Sequence, residues 1–267
     1  MREGFAEAAG ARLFWREEAG PSADAPAILL SNSLAADHTM WEPQLAMLRA
    51  RYRVLRYDTR GHGRSDAPQG PYDFALLVSD AVAVLDAAGA AHAAVMGLSL
   101  GGMTALGLAL THPGRVERLV CCDARADAPE PFVRSWDDRI ATIRAGGMAS
   151  VLAGTIERWL HADFRAGNPA AVARVERMIL ATPTEGYIGC AGALKRLAFL
   201  PDLHRIACPA LFVGGAEDAG APPAVMRDMA ARVPGAEFRE VPRAAHLPNL
   251  DNEAGFAAAI AKFLSLT

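Results

Sequence analysis

The stretch Val95-Met96-Gly97-Leu98-Ser99-Leu100-Gly101-Gly102-Met103 sets a single serine in a frame of glycines. It follows a short apolar run, Ala93 to Met96, and leads into an amphipathic pattern from Leu100 to Thr111, so it reads as a strand, a sharp turn and a helix. The need for Gly97 and Gly101 is steric. A serine on so tight a turn takes strained backbone angles, and side chains two residues to either side would strike the crossing strand and helix. A serine that merely caps the helix at Leu100 is the plain alternative, and the strand and helix around the motif weigh against it.

Working outward, short apolar runs alternate with longer helical patterns along the chain. Strands are expected at Arg12 to Arg16, Ala27 to Ser31, Arg53 to Tyr57, Ala93 to Met96, Val116 to Cys122, Ala210 to Val213 and Glu237 to Val241. Most are too uniformly apolar to face water on one side, which marks buried parallel strands. Helices are expected at Glu42 to Ala50, Phe74 to Ala88, Leu100 to Thr111, Pro223 to Arg232 and Asn252 to Leu264. This alternation predicts an α/β fold, a mostly parallel central sheet flanked by helices.

The rhythm breaks between about Pro129 and Pro201, where helical patterns follow one another without a good strand. We expect an α/β core of residues 1–130 and 201–267, with a helical cap inserted at 131–200. Within it, Ser135-Trp136-Asp137-Asp138 reads as a capping box opening a helix that carries Trp136, Ile140 and Ile143 on one face and stops at Gly146-Gly147. Asn168-Pro169 starts another helix by the same logic.

Composition excludes several classes. Of 267 residues, 52% are hydrophobic and 21% charged, enough to bury a sizeable core, and the net charge of −3 leaves no basic stripe for nucleic acid. No apolar run reaches the ~18 residues of a membrane span, and the start Met1-Arg2-Glu3-Gly4 does not read as a signal peptide. A cytoplasmic protein with neither nucleic-acid nor membrane partners is expected. The cysteines, Cys121, Cys122, Cys190 and Cys208, form no CxxC pair and lie at no zinc-site spacing, so no metal is called for.

A nucleophilic serine needs a base, and the base needs an acid to orient it. On this strand-turn-helix elbow they follow later in the chain, acid then base, each on a loop after a strand. His246 sits just past the last expected strand, whereas the other six histidines precede the acid loop or lie on helices and in the cap. For the acid, Asp218 stands in the loop after Leu211-Phe212-Val213-Gly214, with Glu217 beside it expected to point to solvent. Asp123, directly after the strand ending at Cys122, is a rival, although Arg125 nearby suggests a local salt bridge or a substrate-facing pair instead. Strand placement favours Asp218. The oxyanion donors expected are the backbone NH groups of Leu100 and of Leu34, in the loop Ser31-Asn32-Ser33-Leu34-Ala35.

These residues resemble the α/β-hydrolase superfamily, a match that extends to Tyr57-Asp58-Thr59-Arg60-Gly61-His62-Gly63-Arg64-Ser65, a loop that family uses mainly to shape its core. Ser99 sets the chain apart from the haloalkane dehalogenases and epoxide hydrolases, which use Asp there. Over nearly its full length the chain resembles 3-oxoadipate enol-lactonases, through Ser31-Asn32-Ser33-Leu34 and the cap pieces Trp136-Asp137-Asp138-Arg139-Ile140, Glu157-Arg158-Trp159 and Glu185-Gly186-Tyr187-Ile188-Gly189-Cys190. It departs from them at Cys122-Asp123-Ala124-Arg125, at Ala35 and Ala36, and at Arg243, where a Gly precedes the histidine. The resemblance implies a cofactor-free ester hydrolase of aromatic catabolism (the β-ketoadipate pathway) that opens a small cyclic enol ester bearing a free carboxylate. Other esters, perhydrolysis or carbon-carbon bond cleavage are the alternatives. A carboxylate in an apolar pocket needs a cation. Arg139, three residues after Trp136 on the same expected helix, and Arg134 just outside it are the candidates. Trp136 serves equally as cap core.

Overall fold

The apolar runs do become the interior of a sheet. In the computed structural model, which describes residues 1–266, eight strands are ordered β1-β2-β4-β3-β5-β6-β7-β8. They span Arg2–Ala8 (β1), Ala11–Glu18 (β2), Ala27–Ser31 (β3), Arg53–Tyr57 (β4), Ala93–Leu98 (β5), Val116–Cys122 (β6), Ala210–Gly215 (β7) and Glu237–Val241 (β8). β3, β5 and β7 are buried along their whole length, as strands covered on both faces must be. From β4 to β8 every neighbour is parallel, while β1 and β2 add an antiparallel edge.

Helices α1 (Leu45–Arg49), α2 (Phe74–Ala87), α3 (Leu100–Thr111), α9 (Pro223–Arg232), α10 (Pro248–Asp251) and α11 (Glu253–Ala261) accompany the sheet. Asp73 caps α2 by accepting from the Leu76 NH, and Asn252 caps α11 through Gly255. The expected helix at Glu42 to Ala50 divides into a 3₁₀ segment, His38–Gln44, and the short α1, because Pro43 interrupts the α-helical hydrogen bonds.

Between β6 and β7 the chain forms α4 (Glu130–Gly146), α5 (Leu152–Trp159), α6 (Ala162–Gly167), α7 (Pro169–Ala181) and α8 (Thr184–Leu194). α4 starts six residues earlier than the capping-box reading, with Pro129 and not Ser135 at the N-cap. Pro129 and Pro131 set the start, and Ser135 lies inside the helix with its hydroxyl donating to the Phe132 carbonyl. The stop at Gly146-Gly147 and the start at Asn168-Pro169 are as expected. Among the described residues, no helix is long and apolar enough to cross a membrane.

Candidate active site

The parallel strands β3, β5, β7 and β8 deliver four loops to one end of the sheet. After β5, Ser99 occupies φ 58°, ψ −117°, a region that residues with side chains rarely adopt. A Cβ on Gly97 would lie 2.1 Å from the Gly101 carbonyl oxygen, and one on Gly101 would lie 2.1 Å from that of Ser31. Both glycines are therefore required. Ser99 is held by its NH donating to the Cys122 carbonyl (2.8 Å) and by its own carbonyl accepting from Met103 (2.9 Å). Such strain costs about 1–3 kcal/mol, which the surrounding packing must sustain.

After β8, His246 Nδ1 meets Asp218 Oδ2 at 2.8 Å. With Nδ1–H donated to the carboxylate, Nε2 is left as the free basic nitrogen. Asp218 is buried, and its other oxygen accepts from the Gly220 NH at 2.7 Å. Burial pushes this carboxyl up, but His246 and the Gly220 and Ala221 amides outweigh it and hold the group below the ordinary carboxylate range. The histidine loop is fastened to the helices above it: Leu247 NH donates to the Trp159 carbonyl (3.1 Å), and Asp251 accepts from the NH groups of Ala245 (2.8 Å) and His161 (3.0 Å). Burial pushes the Asp251 carboxyl up to about 6. Arg243, which stands where the resembled family has glycine, keeps a positive φ of 53°.

Of the rival acids, Glu217 points outward to His161 (3.0 Å). Asp123 is buried beside Asp218, yet its Oδ1 is engaged by the Gly215 NH (2.7 Å) and not by His246. Arg125 pairs with Asp127 at 3.4 Å. The acid that meets the histidine is thus Asp218. Asp123, Asp218 and His246 bring ligating atoms within 4.8 Å of one another, as do Asp37, His38 and Asp58, so both groups have the donor types of a cation site. Both are also internally bonded, the second through His38 donating to Asp58 Oδ1 at 2.7 Å from its NH and lying 2.8 Å away at Nδ1.

The donor loop after β3 is anchored by Asn32, which donates to the Tyr57 carbonyl (2.7 Å) and accepts from the Trp41 indole (3.0 Å). Ala35, at φ 60°, donates its NH to His62 Nε2 (2.9 Å), and Ala36 donates to the Ser33 carbonyl (3.2 Å). Leu34 lines the cavity, and among the described residues its NH meets no acceptor. The Leu100 NH opens α3, where the first amides of a helix have no intrahelical acceptor. His62 Nδ1 faces the Arg60 carbonyl at 3.1 Å, which fixes a neutral tautomer with Nε2 as acceptor. Burial lowers the His62 pKa and favours that state. Sequence reasoning read His62 only as part of a core-shaping loop. Its link to Ala35 joins residues far apart in the chain and carries no local signal.

Ser99, His246, Asp218 and Leu34 open onto one cavity of about 400 Å³, walled on the far side by α4, α5 and α8. Trp136 is buried there, with its ring centroid 6.2 Å from Tyr187 and 5.9 Å from Phe132. Arg139 lies 4.3 Å over the Trp136 ring and lines the cavity. Arg134, the other arginine expected at the pocket, is on the outer surface, paired with Glu130 one turn away. The sequence reading missed Arg158, which lines the cavity and donates to Thr155 Oγ1 at 3.3 Å. Burial, then the nearby Arg139 charge, lowers the Arg158 pKa, so the two guanidinium groups feel one another. Among the described residues, neither pairs with a carboxylate. Burial pushes the Tyr187 phenol up, and Arg139 beside it opposes that shift.

Known proteins agree with this architecture. A family model for the alpha/beta hydrolase fold matches residues 26–253. The 3-oxoadipate enol-lactonase 2 of Acinetobacter baylyi is 34% identical over 196 residues, 73% of each chain. A putative carbamate hydrolase, RutD, of a Caulobacter species is 32% identical over 257 residues, 95% of this chain and 96% of the relative. The crystal structure of the enol-lactonase from Burkholderia xenovorans LB400 superposes with a TM-score of 0.94 at 35% identity, covering 98% of this chain and all (100%) of the other. By its fold and by a family match across most of its length, the chain belongs to the α/β-hydrolase family.

Proposed function

We propose that the protein is a serine hydrolase that opens a small carboxylate-bearing enol-lactone, converting 3-oxoadipate enol-lactone to 3-oxoadipate through an acyl-enzyme. One observation carries the substrate class. Arg139 and Arg158, which among the described residues have no carboxylate partner, present cationic groups to a cavity that also holds Phe132, Trp136, Trp159 and Tyr187 and whose other wall holds Ser99. A carboxylate entering such a pocket needs charge-assisted donors, and two guanidinium groups supply them. Similarity to enol-lactonases over most of the chain supports the same reading.

In the reaction, Ser99 Oγ attacks the lactone carbonyl while His246 Nε2 takes its proton, and Asp218 holds the imidazole and stabilises its charged form. The oxyanion accepts from the Leu34 and Leu100 NH groups, each donor contributing ~3–4 kcal/mol of transition-state stabilisation. The enol oxygen leaves and takes the proton from His246. The free enol then tautomerises to the ketone. Water, activated by the same histidine, hydrolyses the acyl-enzyme. Ser99, His246 and Asp218 need no metal or organic cofactor for these steps.

Hydrolysis of a small carbamate is a second reading, favoured by the near-complete coverage of the Caulobacter relative, and it uses the same nucleophile on a different carbonyl. Assaying the purified protein on 3-oxoadipate enol-lactone, a small carbamate acid and p-nitrophenyl acetate separates these readings. We expect kcat/KM to be highest on the lactone. Preference for the carbamate, or turnover of the neutral ester alone, overturns this assignment.

A further inference from the structure

Asp123 follows β6 directly and is wholly buried at 0% exposure. Its φ of 44° lies in the left-handed region, which Asp and Asn adopt more readily than other residues with a Cβ. Its NH donates to the Val213 carbonyl (2.9 Å) and its Oδ1 accepts from the Gly215 NH (2.7 Å), so the carboxyl is pinned between the ends of β6 and β7. Oδ2 is shut away from solvent and receives no hydrogen bond from the protein. The carboxyl groups of Asp123 and Asp218 and the His246 ring bring polar atoms within 4.8 Å of one another.

Two carboxylates this close in a buried setting do not both ionise, and one proton serves the pair. Its place follows from the partners each group has. Asp218 is compensated by His246 and by the Gly220 NH, whereas Asp123 has a single amide donor. The other titratable groups facing Asp123 offer no cation: Asp251 comes from α10, and Cys121 and Cys122 are thiols whose pKa values burial raises. Burial and the Asp218 charge likewise push the Asp123 carboxyl well above its usual range.

We propose that Asp123 is a positioning residue, a neutral carboxylic acid whose Oδ2–H donates to Asp218 and fixes the carboxylate that orients His246. The proposal rests on Ser99, His246 and Asp218 acting as a triad. When His246 takes the serine proton, the imidazolium then faces one negative charge, and the proton on Asp123 stays in place. The bond also holds Asp218 in the rotamer that meets Nδ1.

Asp123→Asn and Asp123→Leu distinguish this role from space-filling. Asn keeps a donor toward Asp218 and an acceptor for Gly215 and tolerates the same backbone. Leu keeps the approximate volume and loses both. We expect Asp123→Asn to retain kcat within about threefold of wild type, and Asp123→Leu to lose at least about tenfold in kcat with KM little changed, as loss of one charge-assisted hydrogen bond implies. Equal losses in the two variants, or wild-type kcat in Asp123→Leu, overturn the proposal. Should the Leu variant not fold, the infrared spectrum decides. At neutral pH the wild type shows the carbonyl band of a protonated, buried carboxylic acid, and Asp123→Asn lacks it; no such difference overturns the proposal. Ser99→Ala and Asp218→Ala run alongside. Wild-type rates in those two sink the triad reading itself, whereas inactivity there with Asn equal to Leu sinks only the role of Asp123.

Discussion

At the scale of single residues, the cavity sets Ser99 on one wall and the guanidinium groups of Arg139 and Arg158 on the other, which the proposed function uses as nucleophile and anion-binding cations. Removing one guanidinium weakens the hold on an anionic substrate and leaves a neutral one nearly untouched. Arg139→Ala and Arg158→Ala are expected to lower kcat/KM for the enol-lactone by at least about tenfold and for p-nitrophenyl acetate by less than about twofold, measured side by side. Equal losses on both substrates point to a structural role for these arginines. Ser99 and Asp218 were legible in the sequence because each follows an apolar strand, and His246 because it lies in the loop after the last strand, where the chain order of strands limits which loops can meet. Arg158 was not legible, since its direction depends on how α5 packs over the sheet. Arg134 was misplaced by the late start assigned to α4. It stands five residues before Arg139, about 140° away around the helix at 3.6 residues per turn, and so faces outward.

At the scale of elements, α8 reaches the site by lying directly on the loop after β4. A Cβ on Gly186 would sit 2.1 Å from the Gly61 carbonyl oxygen, so the helix and loop backbones touch where only glycine fits. Glycine to alanine inside a helix ordinarily stabilises by up to ~1 kcal/mol. Here the sign reverses: Gly186→Ala is expected to destabilise by about 1–3 kcal/mol, read as a lower denaturation midpoint, because backbone must move. A midpoint at or above that of wild type contradicts this packing. The sequence showed that helices occupy this region but not their number, since α5, α6 and α8 begin without a strong capping residue in the pattern. β1 escaped notice for a different reason. Its residues are mostly exposed and show no clean apolar alternation, as an edge strand allows, and the turn at Gly10, φ 71°, that pairs it with β2 is too slight a signal to read alone.

At the scale of the whole molecule, the parallel sheet gathers the loops after β3, β5, β7 and β8 at one end, and the helices between β6 and β7 close over them. The nearly continuous apolar strands made that sheet readable, whereas the bonds that tune the loops join distant segments and were not. His62 ties the loops after β3 and β4 together and works only as the neutral imidazole. A histidine whose folded pKa lies below its free value of 6.5 holds fewer protons folded than unfolded. Its contribution to stability is therefore full above about pH 6.5 and is lost as pH falls through the lowered value. His62→Gln keeps an acceptor for Ala35 and cannot titrate. Its Tm is expected to fall less steeply than that of wild type below pH 6.5, by calorimetry, and parallel slopes contradict the account. The whole arrangement exists, in this reading, to make Ser99 a nucleophile toward a carboxylate-bearing lactone. The most direct test follows the opening of 3-oxoadipate enol-lactone by folded wild type and Ser99→Ala. The account predicts rapid turnover by wild type and a loss of at least about a thousandfold in kcat in the variant. Opening of the lactone by Ser99→Ala at the wild-type rate would contradict it.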